Sequence, residues 1–205
     1  MFLRLFSRNA KHSFGAAHPR DNALPADQAP ARIKDIISDD DEDGRRKVGD
    51  ATVAPYSSIC LIHGFRNAGD ASAVSGGTGW LVSPDTVLTA AHVVYDRKYF
   101  SGATRPRAGG VQMWFGFNND AEPPFGDVIS TKIFVPPAYR EYYDPDWDLA
   151  LIKLDTRIGD RVGWFDAQSP SPAALKNAPV TVAGYPGEED KRFGQYESAK
   201  DLSRR

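Results

Sequence analysis

The sequence predicts an all-β protein, an antiparallel barrel or sandwich, on three observations. Gly and Pro number 18 and 15 among 205 residues, a share that favours short elements joined by turns over long helices. Seven short apolar or alternating runs follow one another after Val48, as closely spaced strands do. The intervals between them hold turn clusters rather than helical periodicity.

Residues 1–47 are expected to form a tail, linker or pro-segment. The first twenty residues carry Arg4, Arg8, Lys11 and Arg20 and no acid. Their apolar stretch is broken by Arg4 and is too short for a secretory signal, so no clear signal peptide is read there. Asp39 to Asp43 are consecutive acids, followed closely by Arg45, Arg46 and Lys47. Such a run cannot bury itself. Its acids are adjacent, not spaced through a turn as calcium ligands are, so a solvated linker is expected.

Strands are expected at 57–63 (SSICLIH), 79–83 (GWLVS), 86–90 (TVLTA), 111–117 (VQMWFGF), 128–135 (VISTKIFV), 149–154 (LALIKL) and 180–185 (VTVAGY). Ser83-Pro84-Asp85, Gly109-Gly110, Asn118-Asn119-Asp120 and Pro136-Pro137 punctuate them. The one convincing helical piece is AAHVVYD at 90–96. With 41% hydrophobic and 25% charged residues and a net charge of -2, the composition is that of a soluble globular protein. That balance gives no general drive toward nucleic acid or anionic membranes. No apolar run approaches the roughly 18 residues of a membrane-spanning helix. The single cysteine, Cys60, excludes an intrachain disulfide and a cysteine-based zinc site. Set in an apolar strand, it is expected to be a small core residue.

Four histidines are present, and His12 and His18 fall in the tail. Of His63 and His92, the second has the more informative setting. A Gly-rich stretch, a strand, a Ser-Pro-Asp turn and a second strand lead to His92 at the start of a helical turn. That order places an imidazole at the rim of a sheet. A second polar landmark is DPDWDLALIKL, where Asp146 and Asp148 stand just ahead of a strand. Strand-end carboxylates are commonly just solvated. Paired with a rim histidine, one of them would fix the imidazole tautomer and stabilise the imidazolium that forms on proton uptake.

GTGWLVSPDTVLTAAHVV, then DLALIKL beginning 56 residues after His92, then VAGYPG at 182–187, together resemble a serine endopeptidase of the chymotrypsin fold. The absence of a cysteine after His92 is similar to the bacterial, disulfide-poor branch, and GYPG to its glutamyl-endopeptidase type. The resemblance runs from Val48 to about Glu197. It implies two antiparallel β-barrels: the first over 48–160, and the second only begun, over 161–205. It implies that His92 is the general base and Asp148, which directly precedes Leu-Ala-Leu, its orienter. The implied reaction is hydrolysis of protein or peptide substrates through an acyl-enzyme, with no metal or organic cofactor. The family association also points to secretion or a periplasmic location.

In that family the nucleophile lies in a Gly-Asn/Asp-Ser-Gly-Gly loop after the Tyr-Pro-Gly strand, and the 205 residues contain no such loop. Ser75 precedes the histidine and belongs to the Gly-rich stretch. Ser198 and Ser203 lack flanking glycines to present oxyanion donors. The expectation is therefore a truncated peptidase, inactive by itself. The alternative is a non-catalytic pseudopeptidase that binds protein. A chaperone-like periplasmic protease is a further alternative, which would require a following peptide-binding domain.

Overall fold

Ile59–Phe65 (β2) and Ser75–Ser83 (β3) pair antiparallel from Ile59↔Trp80 to Gly64↔Ser75 at the centre of a seven-stranded sheet in a computed structural model of the chain. The structure describes residues 45–96, 100, 107–118, 122–166, 171, 173–174, 179–187 and 193–201. The expected tail thus lies outside the described residues except at its end, where Arg46–Lys47 form a short strand (β1). The remaining strands of the large sheet are Thr86–Thr89 (β4), Gly110–Phe115 (β5), Val128–Ser130 (β6), Lys132–Phe134 (β7) and Ala150–Lys153 (β8). Their order is β6-β5-β2-β3-β4-β8-β7.

That order nearly closes the sheet into a barrel. The stretch expected as one strand at 128–135 is two short strands interrupted at Thr131. β6 pairs with β5 on one margin and β7 pairs with β8 on the other, so one run of chain bridges both margins. Ser130 sits at the break. Its hydroxyl donates to the Lys153 carbonyl at 2.6 Å and accepts from the Lys132 amide at 3.0 Å. Those bonds satisfy polar groups where the ladder changes partner.

β2 reads as a continuous apolar run, not an alternating one, because it is covered on both sides. Cys60 and Ile62 point into the barrel with Leu81, Val87, Met113, Phe115 and Ile152. Ile59 and Leu61 point outward into a second cluster with Phe117, Phe165, Ala183 and Tyr185. The outer cluster seats a three-stranded sheet, order β1-β10-β9, made with Pro179–Gly184 (β9) and Tyr196–Asp201 (β10). The GYPG stretch docks this sheet onto the barrel. A Cβ on Gly184 would lie 2.7 Å from Thr78 Oγ1, which accepts from the Tyr185 amide at 2.9 Å. The Tyr185 hydroxyl donates to the Phe117 carbonyl at 2.8 Å.

The helical content departs from expectation. Besides the helix expected near His92, which spans Ala91–Val94 (α1), there are helices at Pro137–Tyr142 (α2) and Gly159–Val162 (α3). Pro136-Pro137, expected only as a breaker, starts α2, because Pro at the first helical position loses no helical hydrogen bond and presets φ. The Gly-rich stretch is not a lead-in but the first half of β3. A Cβ on Gly79 would meet Val87 Cγ1 at 2.6 Å and Ile62 Cδ1 at 2.7 Å, so the barrel interior packs directly on backbone there.

Candidate active site

β4 and β8 are antiparallel neighbours in register at Thr89↔Ala150. The chain leaves β4 just before α1, and it enters β8 just after Asp148. The pairing therefore brings His92 and Asp148 to the same end of the same two strands, although 56 residues separate them in sequence.

Each partner is held by its own local structure. The Thr89 hydroxyl donates to the Thr78 carbonyl at 2.8 Å, fixing the end of β4. α1 then lies against β3 at Gly77, where a Cβ would clash with the Val93 side chain. The Ser75 hydroxyl donates to the Val93 carbonyl at 2.7 Å, so this serine braces the histidine-bearing turn. On the other side, Pro145–Trp147 form a 3-10 turn capped by Asp144, whose carboxylate accepts from the Asp146 amide at 3.0 Å. That turn ends at Asp148. Asp146 is exposed and its amide serves the cap; the carboxylate at His92 belongs to Asp148.

Asp148 grips His92 at two points. Oδ1 accepts from the His92 backbone amide at 2.9 Å, and Oδ2 lies 2.7 Å from Nδ1. An ionised carboxylate only accepts hydrogen bonds, so this contact calls for a proton on Nδ1, and in the neutral ring that tautomer leaves the Nε2 lone pair available. The His92 side chain is 56% exposed and that of Asp148 is 30% exposed. The pair opens to solvent at the rim of the barrel, where a reacting molecule can approach.

The other candidates fall elsewhere. His63 stands on β2 with its ring edge-on to Trp114, centroids 4.8 Å apart. Cys60 is fully buried, and burial pushes its thiol pKa up, away from the reactive thiolate. Ser57 and Ser58 both donate to the Val162 carbonyl, Ser83 donates to Asp85 and Ser130 to Lys153. Ser203 and the Ser198 side chain lie outside what is described. Among the described residues no three His, Cys, Asp or Glu side chains converge as metal ligands would. None of their helices is long and apolar enough to cross a membrane. The braces supplied by Ser75, Gly77 and Asp144 were not anticipated from sequence; the one available signal was the density of small and capping residues around the two motifs.

A model of the trypsin family matches residues 54–201. A glutamyl endopeptidase of Bacillus licheniformis is 33% identical over 164 residues, covering 79% of this chain and 45% of that protein. A protein named extracellular metalloprotease from Bacillus subtilis is 29% identical over 153 residues, covering 74% of this chain and 45% of that protein. The chain thus spans about half the length of the curated relatives it matches. The solved structure of a Glu endopeptidase in complex with MPD superposes with a TM-score of 0.61 at 29% identity, covering 77% of this chain and 67% of that one.

Proposed function

The chain belongs to the trypsin family, and from that membership we propose that it supplies the general base, His92, and the orienting carboxylate, Asp148, of a serine-type endopeptidase. The observation that carries the proposal is the two-point grip of Asp148 on His92. A single bond to Nδ1 would leave the ring free to swing, whereas the second, to the His92 amide, ties the carboxylate to the backbone that bears the ring.

In the proposed reaction Nε2 takes the proton of a serine hydroxyl as its oxygen attacks the scissile carbonyl. The proton then passes to the leaving amine, and water repeats the sequence on the acyl-enzyme. Asp148 stays ionised and stabilises the imidazolium at each stage. Substrates are proteins or peptides. The preference for a glutamyl residue at the cut is proposed from the likeness to the Bacillus licheniformis enzyme. The first barrel is assigned to 48–160 and the start of the second to 161–205.

The sequence lacks the family's Gly-flanked serine loop, and the hydroxyls of Ser57, Ser58, Ser75, Ser83 and Ser130 all donate to groups other than His92. Loss of the nucleophile in a related triad costs about a million-fold in turnover. The 205 residues by themselves are accordingly proposed to be inactive. The alternative, a non-catalytic module that binds protein, is favoured by the exposed Tyr142 and Trp147, which lie just ahead of Asp148. A serine-directed fluorophosphonate applied to this chain should leave no covalent label. A label that disappears in His92→Ala would overturn the inactive reading. Binding of intact protein without cleavage would favour the alternative.

A further inference from the structure

We infer that three tyrosines outside the His92–Asp148 pair, Tyr95, Tyr139 and Tyr143, clamp the segment bearing His92 to the segment bearing Asp148 and so fix the separation of base and orienter. They are positioning residues, and the inference deepens the proposed function, on which it rests.

The need for such a clamp follows from the elements involved. α1 has four residues and the turn before Asp148 has three. Neither is long enough to hold its own shape in water. The two hydrogen bonds between His92 and Asp148 are partly exposed, so water competes for them. Placement to a fraction of an ångström has to come from groups packed behind the pair.

Tyr95 is the residue on which α1 ends, and its amide donates to the Ala91 carbonyl at 2.7 Å. Tyr139 lies within α2, and Tyr143 ends it. The three rings touch mutually. Centroids are 6.3 Å apart for Tyr95 and Tyr139, 6.1 Å for Tyr95 and Tyr143, and 5.4 Å for Tyr139 and Tyr143. The first pair is edge-on, the arrangement that aromatic quadrupoles favour. The Tyr95 hydroxyl also donates to the Arg140 carbonyl at 3.2 Å. One side chain from the histidine segment is thus held by two rings and a carbonyl of the helix that leads to Asp148.

The cluster is anchored at depth and shaped at its end. Tyr139 is buried within the barrel's main core, with Tyr95 and Tyr143 packed against it. Tyr143 has φ of 54°, the left-handed region that bulky residues rarely enter unless their surroundings impose it. That conformation turns the chain into Asp144, whose carboxylate caps the turn ending at Asp148. Burial, and next the negative charge of Asp148, raise the Tyr139 phenol pKa to about 12, so the orienter's charge is felt inside the cluster.

Hydrogen exchange of the His92 amide, which donates to Asp148 Oδ1, reads the clamp in the chain as it stands. The reference is the Ile62 amide in the core strand β2. Tyr95→Leu removes a ring. Tyr143→Asn also removes a ring, with a residue that adopts the left-handed conformation readily. Each should speed His92 exchange relative to Ile62 by roughly threefold to tenfold, the equivalent of an aromatic contact or two. Tyr95→Phe, which keeps the ring, should restore most of the protection. Unchanged relative exchange at His92 in the folded variants would overturn the inference. So would equal acceleration at both amides, which marks general destabilisation. Hydrolysis that does not depend on His92, once the chain is joined to a serine-bearing second barrel, would count against the catalytic reading and leave this measurement unaffected.

Discussion

A Cβ built on Gly77 would lie 2.6 Å from Cγ2 and 3.1 Å from Cγ1 of Val93, the residue after His92. The Val93 side chain of helix α1 therefore packs directly on the backbone of strand β3, and the height of α1 above the sheet sets the height of the imidazole. Gly77→Ala should push α1 outward and cost about 1–3 kcal/mol, as overpacking does. Gly187→Ala, where nothing lies within 4 Å, is the control and should change stability by less than about 0.5 kcal/mol. Urea denaturation of both variants checks the difference.

Cys60 reports on the integrity of the barrel. It is fully buried in the barrel core, on β2 beside Gly79 of β3, and its thiol is held protonated by burial. A thiol-specific reagent at pH 8 should label it only as fast as the barrel opens, and addition of urea through the unfolding transition should raise the rate steeply. Rapid labelling in native buffer would contradict the closed packing around β2.

Alkaline pH should destabilise the fold through its buried tyrosines. Tyr139 is raised to about 12, and Tyr56 and Tyr185 are raised as well, burial being the largest cause for each. An unfolded tyrosine releases its proton near pH 10 while these retain theirs. Their contribution is thus complete below pH 10 and lost as pH rises toward 12. For Tyr139 alone the loss approaches about 1.4 kcal/mol per pH unit across that window. Urea midpoints measured from pH 9 to 12 should fall throughout the upper part of the range. A flat profile would contradict the burial of these phenols.

Much of this architecture is legible in the sequence because the residues at stake carry local signals. His92 follows a strand and a turn cluster, and Asp148 precedes an apolar strand, so each announces a sheet rim. What sequence does not carry is the register Thr89↔Ala150 that makes the two rims one place. The strand pattern succeeds for β2, β4, β5 and β8, where apolar side chains face a core, and for β9, where Ala183 does so while Val182 is exposed. It fails at β10, whose sequence YESAKD carries Glu197, Lys200 and Asp201 and so lacks the apolar alternation by which a strand is recognised. It fails again at 128–135, where a strand-like run of apolar and β-branched residues, interrupted only by Ser130 and Lys132, conceals the change of partner at Thr131. The three tyrosines carry no recognisable motif. Their meeting depends on the packing of α1 and α2, which no local window contains.

The central claim is that Asp148 fixes the proton of His92 on Nδ1 and leaves Nε2 free to act as a base. Correlation of ring protons with ring nitrogens by NMR reads the tautomer of the neutral imidazole directly. In the unmodified chain and in Asp146→Asn, His92 should carry its proton on Nδ1. In Asp148→Asn the proton should shift to Nε2 in most molecules, because the amide can then donate to Nδ1. An Nε2 proton in the unmodified chain, or an Nδ1 proton that persists in Asp148→Asn, would contradict the assignment of Asp148 as orienter and His92 as base.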